Sequence, residues 1–198
     1  MGSSIASYTL FPIDNLPEGL LYQLDFLSEA EEAELVRIFR ELPFQGFDFH
    51  GYTARRRVLE FGFEYDFTTR RATPTQSFPE FLSSVRERAA RFAGLYAADL
   101  VEGMATEYSP GAPIGWHRDA PQFGTIIGIS LASTSRMRFK PYKVEGKPVA
   151  LTLEPRSICL MRGPARWKFQ HSIPPVKEFR YSITFRTLRV SEKKNEAA

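Results

Sequence analysis

Arg180-Tyr181-Ser182-Ile183-Thr184-Phe185-Arg186 is the stretch around which the rest of the chain has to be arranged. Side chains alternate along a strand, so Arg180, Ser182, Thr184 and Arg186 share one face and Tyr181, Ile183 and Phe185 share the other. Six residue steps separate the two arginine Cα atoms by roughly 20 Å. A guanidinium fork pairs with a carboxylate bidentately, so two arginines leaning inward suit opposite ends of a small dicarboxylate. The competing reading is an outward-facing strand with solvated arginines.

An upstream segment favours the inward reading. Gly115-Trp116-His117-Arg118-Asp119 places a histidine two residues before a carboxylate, and His171 follows later in a chain with three histidines. Two His and one carboxylate, with open positions left on the metal, form the facial arrangement suited to a non-haem Fe(II) oxygenase. A closed thiolate site would instead hold zinc structurally. His-Arg-Asp also occurs in the protein-kinase catalytic loop, but Gly124 stands where that loop needs Asn and no Asp-Phe-Gly follows.

Together with Tyr108-Ser109-Pro110-Gly111, the His117-x-Asp119, His171 and Arg180-x5-Arg186 set resembles the AlkB-like 2-oxoglutarate and Fe(II)-dependent dioxygenases over about residues 20 to 188. The resemblance implies that His117, Asp119 and His171 bind Fe(II). It also implies that Arg180 and Tyr108 hold the distal carboxylate of 2-oxoglutarate, with Arg186 near the metal-proximal one and O2 as the second co-substrate. Thr106 stands at the co-substrate position where members often carry Asn. The segments Arg57-Val58-Leu59-Glu60-Phe61-Gly62-Phe63-Glu64-Tyr65 and Pro155-Arg156-Ser157 are similar to the tRNA-modifying branch of the family.

The activity so implied is oxidative demethylation of N-alkylated bases in DNA or RNA, a repair reaction. One alternative is hydroxylation of a modified tRNA base. Another is a non-catalytic member of the fold that binds RNA or protein, against which stands the cost of keeping unused buried charges.

Composition fits a single domain over 1–190, followed by a polar, charged stretch, 191–198, expected to be a disordered tail. The net charge is +3, and no run of 18 apolar residues offers a membrane span. A monomer without a secretory signal is expected in the cytoplasm. Cys159, the single cysteine, sits between Ile158 and Leu160 and reads as a core residue.

Arginine clusters interleave with aromatics between 52 and 71. That mixture suits a phosphate backbone flanking a stacked base. Arg55, Arg56, Arg57, Phe61 and Tyr65, with Arg118 in the ligand loop, are therefore the expected substrate contacts. The region 44–76 is expected to hold one or two strands with loops and to form a lid over the substrate, as in the resembled family. His50 reads as a turn or lid residue.

Ser28-x-x-Glu31 and Ser77-x-x-Glu80 each have the form of a capping box opening an amphipathic helix, the first ended by Pro43 and the second running to about Tyr96. From Val101 the pattern is β, including a buried strand through Ile126, Ile127, Ile129 and Leu131, and Gly163-Pro164 is expected to break the chain before Trp167. Two early helices and six or more late strands indicate α+β. The strands would close into a double-stranded β-helix, a cupin-like jelly roll, buttressed by the two N-terminal helices.

Overall fold

A computed structural model of the chain describes residues 16–49, 52–66 and 71–189. The first element is β1 (Leu20–Gln23), followed by α1 (Glu29–Phe39). Ser28 caps α1 as its sequence predicts: its hydroxyl accepts from the Glu31 N–H at 3.2 Å, and its own N–H donates to Glu31 Oε2 at 2.8 Å. Four strands follow, β2 (Gln45–Phe49), β3 (Tyr52–Phe61), β4 (Phe63–Asp66) and β5 (Arg71–Pro74). The region 44–76 is thus more strand than loop. Its first two strands extend the main sheet, and only β4 and β5 stand apart as a separate pair.

The second helix, α2 (Ser83–Ala93), begins later than its apparent capping box requires. Pro79 is extended, with ψ 151°, a 3-10 turn over Glu80–Leu82 intervenes, and no side-chain cap is made. Ser77 therefore caps nothing, because the residues that would form the first turn are held out of the helix. The helix stops at Gly94, whose φ of 71° is a left-handed conformation suited to glycine at a helix end.

The remaining strands are β6 (Leu100–Tyr108), β7 (Ile114–His117), β8 (Phe123–Leu131), β9 (Ser135–Pro141), β10 (Val149–Leu153), β11 (Ile158–Met161), β12 (Phe169–Ile173) and β13 (Arg180–Leu188). Gly163-Pro164 opens a short helix, α3 (Gly163–Trp167), where a simple chain break was expected. Proline is tolerated in a first turn because its missing N–H has no intrahelical partner there.

Two antiparallel sheets face each other. The major sheet runs β1-β11-β8-β13-β6-β3-β2 and the minor sheet runs β10-β9-β12-β7. The two sheets and two buttressing helices are the expected α+β jelly roll. The strand β13 is paired on both sides, with Ile183 opposite Ala105 of β6 and Ile129 of β8. Its Tyr181, Ile183 and Phe185 pack with Phe39, Leu82, Val85 and Ala89 beneath the helices. Tyr181 meets Phe39 edge-on at 5.7 Å and stacks on Phe44 at 6.1 Å. Its other face turns toward the minor sheet, so burial of one face by the helices aims both arginines into the space between the sheets.

Candidate active site

A cavity of about 1170 Å³ opens between the sheets, lined on one side by β6 and β13 and on the other by β7, β12 and the loop after β7. His117 and His171 are register partners across β7 and β12. Directly opposed residues point the same way, which brings the two rings to 4.3 Å between centroids. Asp119 follows two residues later, with Oδ2 3.6 Å from His171 Nε2. One donor atom from each of the three lies within 4.8 Å of the others, a spacing one metal ion can bridge.

The rings are prepared for that task. His117 Nδ1 lies 2.9 Å from the Gly115 carbonyl, which can only accept, so Nδ1 carries the proton and Nε2 keeps its lone pair. Burial lowers the pKa of His117 and, helped by His117 beside it, pushes His171 down to about 3. At neutral pH both imidazoles are uncharged, as metal ligation requires. Burial alone would raise Asp119, but the neighbouring groups together, Arg186 first among them, outweigh it and hold the carboxyl well below the usual range. His171, being neutral, contributes little to that shift at pH 7.

Arg186 is fully engaged. Its Nε and Nη2 approach Asp119 Oδ1 at 3.1 and 3.0 Å, and its Nη1 donates to Glu102 Oε1 at 2.6 Å. Burial pushes Glu102 up to about 7 against the pull of Arg186. Two protein carboxylates already occupy the Arg186 fork. Arg180 differs. It is 2% exposed, donates from Nη2 to Ser130 Oγ at 2.8 Å, and lies 4.7 Å from the Tyr108 ring centroid. Its Nε and Nη1 have no hydrogen-bond partner among the described residues, and neither does the buried Thr106 Oγ1.

Comparison with known proteins agrees with this geometry. The sequence profile of the 2OG-Fe(II) oxygenase superfamily matches residues 19–190. The chain belongs to that superfamily. Within it the chain is AlkB-like. It is 29% identical over 185 residues to the Alkylated DNA repair protein ALKBH8 homolog of Arabidopsis thaliana, covering 81% of this chain and 51% of that protein. It is also 29% identical to the tRNA (carboxymethyluridine(34)-5-O)-methyltransferase ALKBH8 of Mus musculus, over 91% of this chain and 27% of that protein. The chain therefore spans about half of the first relative and about a quarter of the second. The fold matches that of OsALKBH1 with a TM-score of 0.69 at 16% identity, covering 89% of this chain and all of the other.

A superfamily member uses Fe(II), 2-oxoglutarate and O2, and the residues fit them. A buried guanidinium without a counter-ion is costly, so the two orphaned donors of Arg180 beside Thr106 form a pocket awaiting an anion. A carboxylate such as that of 2-oxoglutarate would offer acceptors to these donors. Tyr108, whose hydroxyl lies 3.3 Å from Ser182 Oγ, walls the same pocket.

The expected substrate contacts divide. Arg56 and Arg55 line the cavity, and Arg118 is exposed at its mouth, 3.7 Å from the Tyr142 ring centroid. Arg57 lies on the opposite face of β3, tied to Glu107 at 2.8 Å. Phe61 is 3% exposed and belongs to the core beneath the helices, near Phe78. Neither lines the cavity: Arg57 is held by Glu107 and Phe61 is packed into the core on the helix side. Tyr65 falls in β4, but its side chain lies outside the described residues, as do His50 and the tail.

Two residues escaped the sequence reading. Arg166 is 3% exposed, and it donates to the carbonyls of Asp119, Ala120, Phe123 and Gly124 at 3.2, 2.8, 2.9 and 3.1 Å. It fixes the loop that carries Asp119. Glu102 is the other. Its signal was a carboxylate six residues before Tyr108 in the same strand, a spacing that turns both to one face.

Proposed function

We propose that this AlkB-like oxygenase oxidatively removes alkyl groups from N-alkylated bases in single-stranded DNA or RNA. The observation that carries the reading is one cavity holding the His117, Asp119 and His171 set with Arg56, Arg118 and Tyr142 in its walls. Its volume exceeds what a small co-substrate needs and leaves room for a base, since ligand pockets run from about 300 to 1,000 Å³. Cationic and aromatic groups at the mouth suit the phosphates and stacked bases on either side of an extruded nucleotide.

The residues divide the work. His117, His171 and Asp119 hold Fe(II); Arg180, Thr106 and Tyr108 orient the far carboxylate of 2-oxoglutarate; Arg186 sets Asp119 and borders the near one. Ile126, Met137 and Met161 give the cavity apolar walls that exclude water. Iron with 2-oxoglutarate and O2 supplies the oxidation, yielding succinate, CO2 and a hydroxylated substrate carbon. A hydroxylated N-methyl group then leaves as formaldehyde and restores the base.

The matches to ALKBH8 proteins favour a second reading, hydroxylation of a modified tRNA base, in which the alcohol persists. One assay separates the two. Protein loaded with Fe(II) is given 2-oxoglutarate, air and oligonucleotides carrying 1-methyladenine or 3-methylcytosine, and the products are weighed by mass spectrometry. A loss of about 14 mass units, one CH2, with formaldehyde release supports demethylation. Succinate without a change in these oligonucleotides, but with a gain of one oxygen in a modified tRNA, supports the second reading.

A further inference from the structure

The outer face of the minor sheet has no part in the chemistry above, although two of its residues, Trp116 and Gln170, also border the cavity. Strand alternation places Arg136, Arg138 and Lys140 of β9 there, since Met137 and Phe139 between them are buried inside. Trp116 occupies the same face of β7, because its neighbour His117 points inward. The indole lies across the sheet, 5.0 Å from the Arg138 guanidinium and 4.6 Å from the Lys140 ammonium.

The neighbours make the face unusual. The register partners of Arg138 and Arg136 on β10 are Ala150 and Thr152, and β12 contributes Gln170 and Ser172. No carboxylate stands at an outward position of these four strands, and none pairs with the three cations among the described residues. Arg138 has only the Ser172 hydroxyl, at 3.1 Å. Three positive charges and one half-buried indole thus stand among uncharged side chains, three of the four small.

We propose that this face is a second docking surface for single-stranded nucleic acid, taking the strand that flanks a base held in the cavity. The inference rests on the proposed nucleic-acid substrate. Cations that follow a phosphate backbone, beside an aromatic on which a base stacks, are what sequence-tolerant single-strand binding requires. The small residues let the backbone approach the sheet. Continuity supports the same occupant. β7 is the edge strand of the minor sheet, and along it Trp116 faces outward, His117 inward, and Arg118 stands exposed at the mouth. A strand leaving the cavity past Arg118 rounds this edge onto Trp116. From β7 to β9 is only about 10 Å, two inter-strand spacings.

The test is fluorescence anisotropy with unmodified oligonucleotides of about five and about fifteen nucleotides, which bracket single-strand site sizes. The full chain is loaded with Fe(II) under argon without 2-oxoglutarate, and binding is measured across a salt series. The wild type should bind the longer oligonucleotide more tightly. In R136E/K140E that advantage should fall roughly tenfold or more at about 0.1 M salt, and the salt slope should drop by about 1.4, two phosphate contacts' worth. Trp116→Ala should weaken the longer oligonucleotide selectively and remove fluorescence quenching on binding, leaving Trp167 as the reporter.

R91E, on the helix side, serves as the control and should bind as wild type. If R136E/K140E is folded and keeps both affinity and slope while the wild type binds, this surface is refuted and the substrate reading stands. If the wild type binds no oligonucleotide of either length, the substrate reading falls with it. Polyglutamate displacing the longer oligonucleotide from wild type at equal charge concentration would overturn the proposal in favour of an acidic protein partner.

Discussion

Nε and Nη2 of Arg186 converge on a single oxygen of Asp119, Oδ1, at 3.1 and 3.0 Å. The other oxygen, Oδ2, is buried, has no hydrogen-bond partner among the described residues, and faces His171 Nε2 at 3.6 Å. The arginine therefore decides which carboxylate oxygen is left for a metal, and it keeps the group ionised.

Arg186→Met removes that constraint and leaves Asp119 and Glu102 without their shared counter-charge. Metal affinity should drop about 10- to 100-fold, the range for losing an outer-shell partner of a ligand. Stability should fall by about 3–5 kcal/mol, as for breaking a buried ion pair. Titration calorimetry with Co(II) and a urea melt measure the two effects. Unchanged metal affinity in a folded variant would show that Asp119 orients itself.

Arg180→Met should do the opposite. The orphaned donors of Arg180 lie on the far part of β13, away from the three ligands. The Kd for 2-oxoglutarate should rise by about two orders of magnitude or more, as for truncating one partner of a buried charge pair. Co(II) affinity should stay within about twofold, because Arg180 touches none of the ligands. A variant that loses both in parallel would place Arg180 in the metal site as well.

How much of this was legible in the sequence depended on the range of each interaction. The two faces of β13 follow from local alternation, and the three ligands stood out because histidine is scarce. The capping box at Ser28 is equally local and formed as read. Ser77 presents the same pattern, yet the chain direction set at Pro79 overrode it. Arg55, Arg56 and Arg57 read alike as a basic run, and only the pairing of β3 with β6 separates Arg56 in the cavity from Arg57 bound to Glu107. Arg166 was beyond reach, because its four carbonyl acceptors lie 42 to 47 positions away in the chain.

Glu102 gives the site a pH signature. Its pKa rises from an ordinary 4.5 to about 7 in the fold, so the folded state holds the proton more tightly than the unfolded chain. That contribution is complete below about pH 4.5 and is lost as pH climbs through about 7. Glu102→Gln abolishes this titration. Across that window the wild type should lose stability relative to the variant by an amount on the order of a few kcal/mol. Urea unfolding of the metal-free proteins at pH 5 and pH 8 tests it, and parallel pH profiles would place the titration elsewhere.

The most direct test of the ligand set is succinate formation from 2-oxoglutarate under air, measured with Fe(II) for wild type and His171→Ala side by side. Wild type should form succinate only when Fe(II) is supplied, and the folded variant should form none above the iron-only background. Equal succinate from His171→Ala, or Fe(II)-independent succinate from wild type, would contradict the assignment of His117, Asp119 and His171 as the iron ligands.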